Sequence, residues 1–174
     1  MAASPLVEPF GLSLGSADGL IKLHRAGVLH QVVVHHPCTI PQAVYDEVVT
    51  RGKVRLYQDA DEIEEIIVQA VRVVDTEPED PEPGLGAGEM AVLRLATQNR
   101  YATVVSDDRR FLALLSARAI PFLTPTDLLV VLAGQKDLTR EEASEALERL
   151  RPVIRAAAYW EAREDLQRGG RDEE

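Results

Sequence analysis

The chain has 174 residues, 45% hydrophobic and 28% charged, enough for one full core, and this excludes disorder of the whole chain. No uninterrupted apolar stretch approaches the ~18 to 20 residues that span a bilayer. The opening MAASPLVEPF has neither the basic flank nor the apolar run of a signal peptide, so a soluble, cytoplasmic protein is expected.

Cys38 is the only cysteine, which excludes an internal disulfide and a cysteine-rich zinc site and leaves a small buried residue as the expectation. Nineteen basic against 29 acidic residues leave a net charge of −10, an argument against binding nucleic acid by bulk attraction. Ten of the acids and one base, Arg72, lie between Asp59 and Glu82. The remainder is close to neutral, so a polyanionic substrate can be handled elsewhere with the help of a metal.

In chain order, FGLSLGS at 10–16 predicts a weak first strand, and 18–26 a helix opened by Asp18. HQVVVHH at 30–36 predicts a buried strand, followed by a helix over 41–50 and another over 58–70. VRVVD at 71–75 is the next strand. TEPEDPEPGLGAGE at 76–89 is a loop, expected to be mobile from 76 to 87 because prolines, acids and glycines offer little to bury. A helix over 88–99, the strand ATVVS at 102–106, a helix over 107–117 and the strand IPFLT at 120–124 follow. Beyond Thr124 only helices are predicted, one opened by Thr126 or Asp127 and a last one opened by DLTREE, where Thr139 and Glu142 make a capping box. Strand and helix in alternation imply an α/β fold, a three-layer α/β/α sandwich with a parallel central sheet plus C-terminal helices. The expected division is a sandwich over 1–135 and a helical extension over 136–174 packed on the same domain.

Gly84, Gly86 and Gly88 run into a helix, as in a phosphate-binding loop. No GK[ST] follows, and Glu89 puts a negative charge where phosphate should sit, so a simple turn is preferred. In a parallel α/β sheet ligands collect outside the carboxyl ends of the strands, which selects Asp18, Glu47, Glu89, Asp107 and Asp108. If such carboxylates converge, a hard divalent cation is the ordinary way to offset their repulsion.

Taken in order, SADGLIKLHRAGVL, IPQAVYDEVVTRG, GLGAGEMAVLRLAT and VVSDDRRF followed by IPFLTP resemble the PIN-domain family of metal-dependent nucleases, which includes the toxin ribonucleases of prokaryotic toxin-antitoxin pairs. The likeness spans roughly 11–125 and rests on the ordered set rather than on one motif. It implies a cluster of four acids, bound magnesium or manganese (Mg2+ or Mn2+), and RNA or structured nucleic acid as substrate. An antitoxin or other protein partner and a homodimer are the expected associations, with no membrane. By position, the second family acid falls on Glu47, the third on Glu89 and the fourth on Asp108, the expected catalytic residues. The first departs from the pattern: where the family has an aspartate two residues before a small polar residue, this chain has Ser16, Ala17, Asp18, as though exchanged. Asp18 is thus the fourth expected metal ligand, with Ser16, Ser106 and Asp107 in support and Arg109 and Arg110 as phosphate contacts.

Each of these residues also has a plainer role. Asp18 suits a helix N-cap, Glu47 a solvated helix face, Glu89 the positive end of a helix dipole, and one of Asp107 and Asp108 a cap. Arg109 and Arg110 also suit a solvated helix face. His24, His30, His35 and His36 are expected to be structural or exposed, with His35 and His36 on opposite sides of a strand. Tyr159 and Trp160 suit the anchoring of a docked helix better than base stacking. The resulting expectation is a metal-dependent endoribonuclease, of reduced activity because of the altered first motif; a PIN-like binding or interaction module without catalysis is the alternative.

Overall fold

The computed structural model describes residues 11–55, 58–76, 82–98 and 103–169. Five strands, β1 (Leu12–Leu14), β2 (Cys38–Pro41), β3 (Val71–Val74), β4 (Thr103–Val105) and β5 (Phe122–Leu123), form one sheet in the order β3-β2-β1-β4-β5. Every pairing is parallel, with Leu12 of β1 opposite Cys38 on one side and Thr103 on the other. The helices are α1 (Ala17–Arg25), α2 (Leu29–His35), α3 (Gln42–Tyr45), a π-helical turn (Asp46–Thr50), α4 (Arg51–Val54), α5 (Asp59–Ala70), α6 (Ala87–Gln98), α7 (Arg109–Ala117), α8 (Pro125–Gly134), α9 (Arg140–Leu150) and α10 (Ala156–Arg168).

The chain winds outward from β1 to β3, then crosses back through α6 to β4. Right-handed crossovers in the two directions put their helices on opposite faces. Helices α1, α2 and α5 pack on one another, while α6 touches β1, β2 and β4, giving the three-layer α/β/α sandwich. Leu12, Leu14, Ile40, Val104 and Val105 are buried between the layers. The order reverses between β1 and β4, and a crevice opens at their carboxyl ends.

Residues 30–36 correct the sequence-based expectation. Residues 30–35 lie in α2 with His36 as its C-cap, and the second strand is instead Cys38–Pro41. Leu29, Val32, Val33 and His36 are buried at three-and-four spacing while Val34 is 60% exposed, so packing of one helical face overrides the strand preference of three consecutive valines. The strand at 71–75 is partly exposed, because β3 is an edge strand with Arg72 and Val73 facing out. The helix predicted over 41–50 runs on to Val54 with a π-helical turn inside it. Of the loop expected to be mobile, 77–81 lies outside the described residues. From Glu82 the backbone is held: Leu85 N–H donates to Glu82 O at 3.2 Å and Arg118 pairs with the Glu82 carboxylate.

Thr124 rather than Thr126 or Asp127 opens α8, in a capping box with Asp127, and Thr139 opens α9 in the expected box with Glu142. Leu128, Leu132, Leu147, Leu150, Tyr159 and Leu166 from α8, α9 and α10 belong to the same apolar cluster as the sheet. Tyr159 is buried, but Trp160 is 55% exposed and stacks with Arg163, so only one of the two aromatics anchors α10. Among the described residues, no helix is long and apolar enough to cross a membrane.

Candidate active site

A cleft of about 540 Å³ opens at the crevice between β1 and β4. Ser16 and Asp18 after β1, Asp46, Glu47 and Arg51 after β2, Gly88 and Glu89 at the start of α6, and Asp108 after β4 line it. Three of the elements place these groups for local reasons. Gly15 ends β1 where a Cβ would lie 2.5 Å from Val104 Cγ1 and 2.9 Å from Val105 O, so only glycine lets β1 and β4 approach this closely at the cleft floor. Gly88 presents a similar surface to its neighbours: a Cβ there would stand 3.2 Å from Val44 Cγ2 and 3.3 Å from Glu47 Oε2, so α6 comes against the helix that carries Glu47. The π-helical turn closes with the Arg51 N–H on Asp46 O and directs Asp46, Glu47 and Arg51 together into the cleft.

Two of the acids are oriented by backbone amides. Asp108 is the N-cap of α7, its Oδ1 accepting from Arg110 N and Phe111 N at 2.9 Å each. Ser106, fully buried, accepts from Asp108 N at 3.3 Å and steadies the turn. Glu89 Oε2 accepts from Gly86 N at 2.9 Å across the start of α6. Each of these carboxylates uses one oxygen, and its second accepts no hydrogen bond among the described residues. Glu47 has no hydrogen bond or ion pair among the described residues.

Asp18 behaves differently from the sequence-based expectation. Ser16 caps α1 by accepting from Gly19 N at 3.0 Å, and Asp18 is the second residue of the helix, in its first turn, rather than its cap. Its carboxylate, largely exposed, faces Lys22 Nζ at 2.7 Å. Lys22 also donates to Asp107, bridging α1 to the end of β4. Burial works to lower the Lys22 pKa, but the bonds to Asp107 and Asp18 outweigh it and hold the ammonium above its ordinary value.

Lys22, Asp46 and Arg51 were not among the residues expected from sequence, although both cations follow an expected acid by four positions, a spacing that brings side chains together on a helix. Arg109 and Arg110 are exposed and do not line the cleft; the Arg110 guanidinium rests on the Gly84 turn instead. No histidine lines the cleft. His36 and His35 both reach Asp137, at 3.0 and 3.6 Å, from the end of a helix rather than from opposite faces of a strand, and His24 pairs with Glu62. Cys38 is buried and burial pushes its thiol up to about 12, so it is no nucleophile.

A family model described as a PIN domain matches residues 16–160, which includes every residue lining the cleft except Gly15. The chain belongs to the PIN-domain family. PIN domains are generally nucleases, and the fold is of nuclease type. No curated protein and no solved structure matches the chain.

PIN domains typically use divalent metals. The donors lining this PIN-domain cleft are carboxylates, without imidazole or thiol, a set that suits a hard cation. Among the described residues, no three His, Cys, Asp or Glu side chains are drawn together as a metal site. The fit lies in donor chemistry and in the carboxylate oxygens of Glu47, Glu89 and Asp108 that accept no hydrogen bond among the described residues, while Asp18 turns one oxygen to Lys22.

Proposed function

We propose that this PIN-domain chain is a divalent-metal-dependent nuclease that hydrolyses phosphodiester bonds of RNA, with Glu47, Glu89 and Asp108 holding Mg2+ or Mn2+. The observation that carries this is that three acids from separate segments line one cleft at the switch point of a parallel sheet. A divalent ion bound there supplies charge neutralisation at the scissile phosphate and activation of water.

The protein's own contribution is orientation. The amides of Arg110 and Phe111 fix Asp108, and the Gly86 amide fixes Glu89, so both carboxylates are held without desolvating their second oxygens. Glu47, without a hydrogen bond or ion pair among the described residues, is the adjustable member. Asp107 is neutralised by Lys22 and supports the turn rather than the chemistry. Arg109 and Arg110, exposed at the start of α7 and outside the cleft lining, form no ion pair among the described residues and are the groups that would meet a strand leaving the cleft.

A second reading, a PIN-domain binding module without catalysis, is favoured by Ser16, which stands where the family resemblance expects an aspartate and is engaged as a helix cap. Incubation of the protein with labelled single-stranded RNA in manganese and in EDTA, alongside Glu47→Gln, separates the two. Nuclease function requires fragments that appear only with metal and disappear in the variant. Manganese-independent cutting, or equal cutting by Glu47→Gln, overturns the assignment, and intact RNA that nevertheless binds supports the module.

A further inference from the structure

Arg51 is the only cation among the described residues that line the cleft. It follows Glu47 by four positions and Asp46 by five, yet among the described residues its guanidinium pairs with neither. Elsewhere in this chain the same spacing closes readily: Asp18 with Lys22, Glu145 with Arg149 and Glu164 with Arg168 all form ion pairs. Asp46 meanwhile directs its Oδ1 to Gln42 Nε2 at 2.9 Å and Thr50 Oγ1 at 3.4 Å. The π-helical turn ends on Arg51 itself, through the bond from its N–H to Asp46 O. An exposed arginine thus stands at an acidic cleft with its five donors unspent among the described residues. Lys22, by contrast, is consumed by two carboxylates.

An acidic cleft repels a polyanionic strand, and a free guanidinium on its wall is the group that offsets this repulsion at one phosphate. Arginine presents a planar fork that takes two phosphate oxygens at once, which a lysine cannot reproduce. We propose that Arg51 grips a backbone phosphate of a single-stranded nucleic acid next to the one that is cut, and so sets the register of the strand across Glu47, Glu89 and Asp108. This rests on the nuclease assignment for the position of the cut but not for the binding contact. Arg51 is accordingly a positioning residue. It acts on the strand and not on the reacting atoms.

The test is fluorescence anisotropy of the full chain with a short labelled single-stranded RNA, over a salt series, in calcium, with wild type, Arg51→Gln, Arg51→Lys and the remote Arg168→Gln. Thermal melting checks that each variant is folded. Arg51→Gln is expected to bind about tenfold more weakly and to lose about 0.7 from the slope of log affinity against log salt, the share of one phosphate contact on a single strand. Arg51→Lys should keep the slope and recover only part of the affinity, and Arg168→Gln should match wild type. Equal affinity and slope for wild type and Arg51→Gln overturn the assignment of Arg51 while leaving the nuclease assignment intact. Arg51-dependent binding without cleavage in manganese overturns hydrolysis and keeps Arg51, and absence of RNA binding by wild type overturns both.

Discussion

Lys22 donates to the carboxylate of Asp107, the residue immediately before the Asp108 that caps α7, and so ties the first helix of the fold to the far wall of the cleft. With Asp18 on its other side, the ammonium offsets two acids that otherwise add to the negative charge around Glu47, Glu89 and Asp108.

Lys22→Met removes that charge and leaves Asp107 half-buried without its partner. The expected loss is about 2 kcal/mol in urea denaturation at neutral pH, the scale of a charged hydrogen bond broken in a partly buried place. Because the Lys22 pKa is raised in the folded protein, the stability it contributes is complete below the unfolded lysine value. It is lost as pH rises through the higher folded value. The difference between wild type and variant should be constant from about pH 7 to about pH 9 and shrink above about pH 10.5. A difference that grows with pH contradicts the role.

Asp108 serves a cap and, as proposed, a metal, and the two separate by substitution. Asp108→Asn keeps an acceptor for Arg110 N and Phe111 N and should cost little stability, whereas Asp108→Ala should cost about 1 kcal/mol. Both should abolish manganese-dependent cleavage. Retained cleavage in Asp108→Asn assigns the residue to structure alone.

Ser16→Asp restores a carboxylate at the position where the family resemblance expects one. Aspartate caps a helix as well as serine, so the melting temperature should hold while manganese affinity by calorimetry rises about tenfold, or about 1.4 kcal/mol. In parallel, Asp18→Asn should leave affinity within about twofold of wild type, since Asp18 is engaged by Lys22. A tenfold loss in Asp18→Asn assigns it to the metal site and reverses this expectation.

Gly15→Ala should destabilise the fold by about 2 kcal/mol in chemical denaturation, because the added methyl meets both the Val104 side chain and the Val105 carbonyl, and backbone cannot give way cheaply. Stability equal to wild type places β1 and β4 further apart than described.

The amino-acid sequence by itself determined the class of fold and pointed to acids that line the cleft. Alternating apolar runs and amphipathic helices permit little but a covered parallel sheet, and a capping box such as Thr139 with Glu142 is a local hydrogen-bond pattern that needs no distant partner. Glu47, Glu89 and Asp108 were legible because strand ends mark the ligand-binding edge, and the order of motifs resembled a family. Tertiary structure alone decided the rest. The run Val32, Val33, Val34 has strand propensity in isolation and becomes helix because Leu29, Val32 and Val33 bury together. Asp18 has the makings of an N-cap but lost that place to Ser16, and what it does instead depends on Lys22 and, through Lys22, on Asp107, which is 85 residues away from that lysine. Whether Arg51 answers Glu47 or stays open to the cleft likewise depends on the path of the backbone through a π-helical turn, a matter of packing against α5 and α1 that no local propensity encodes.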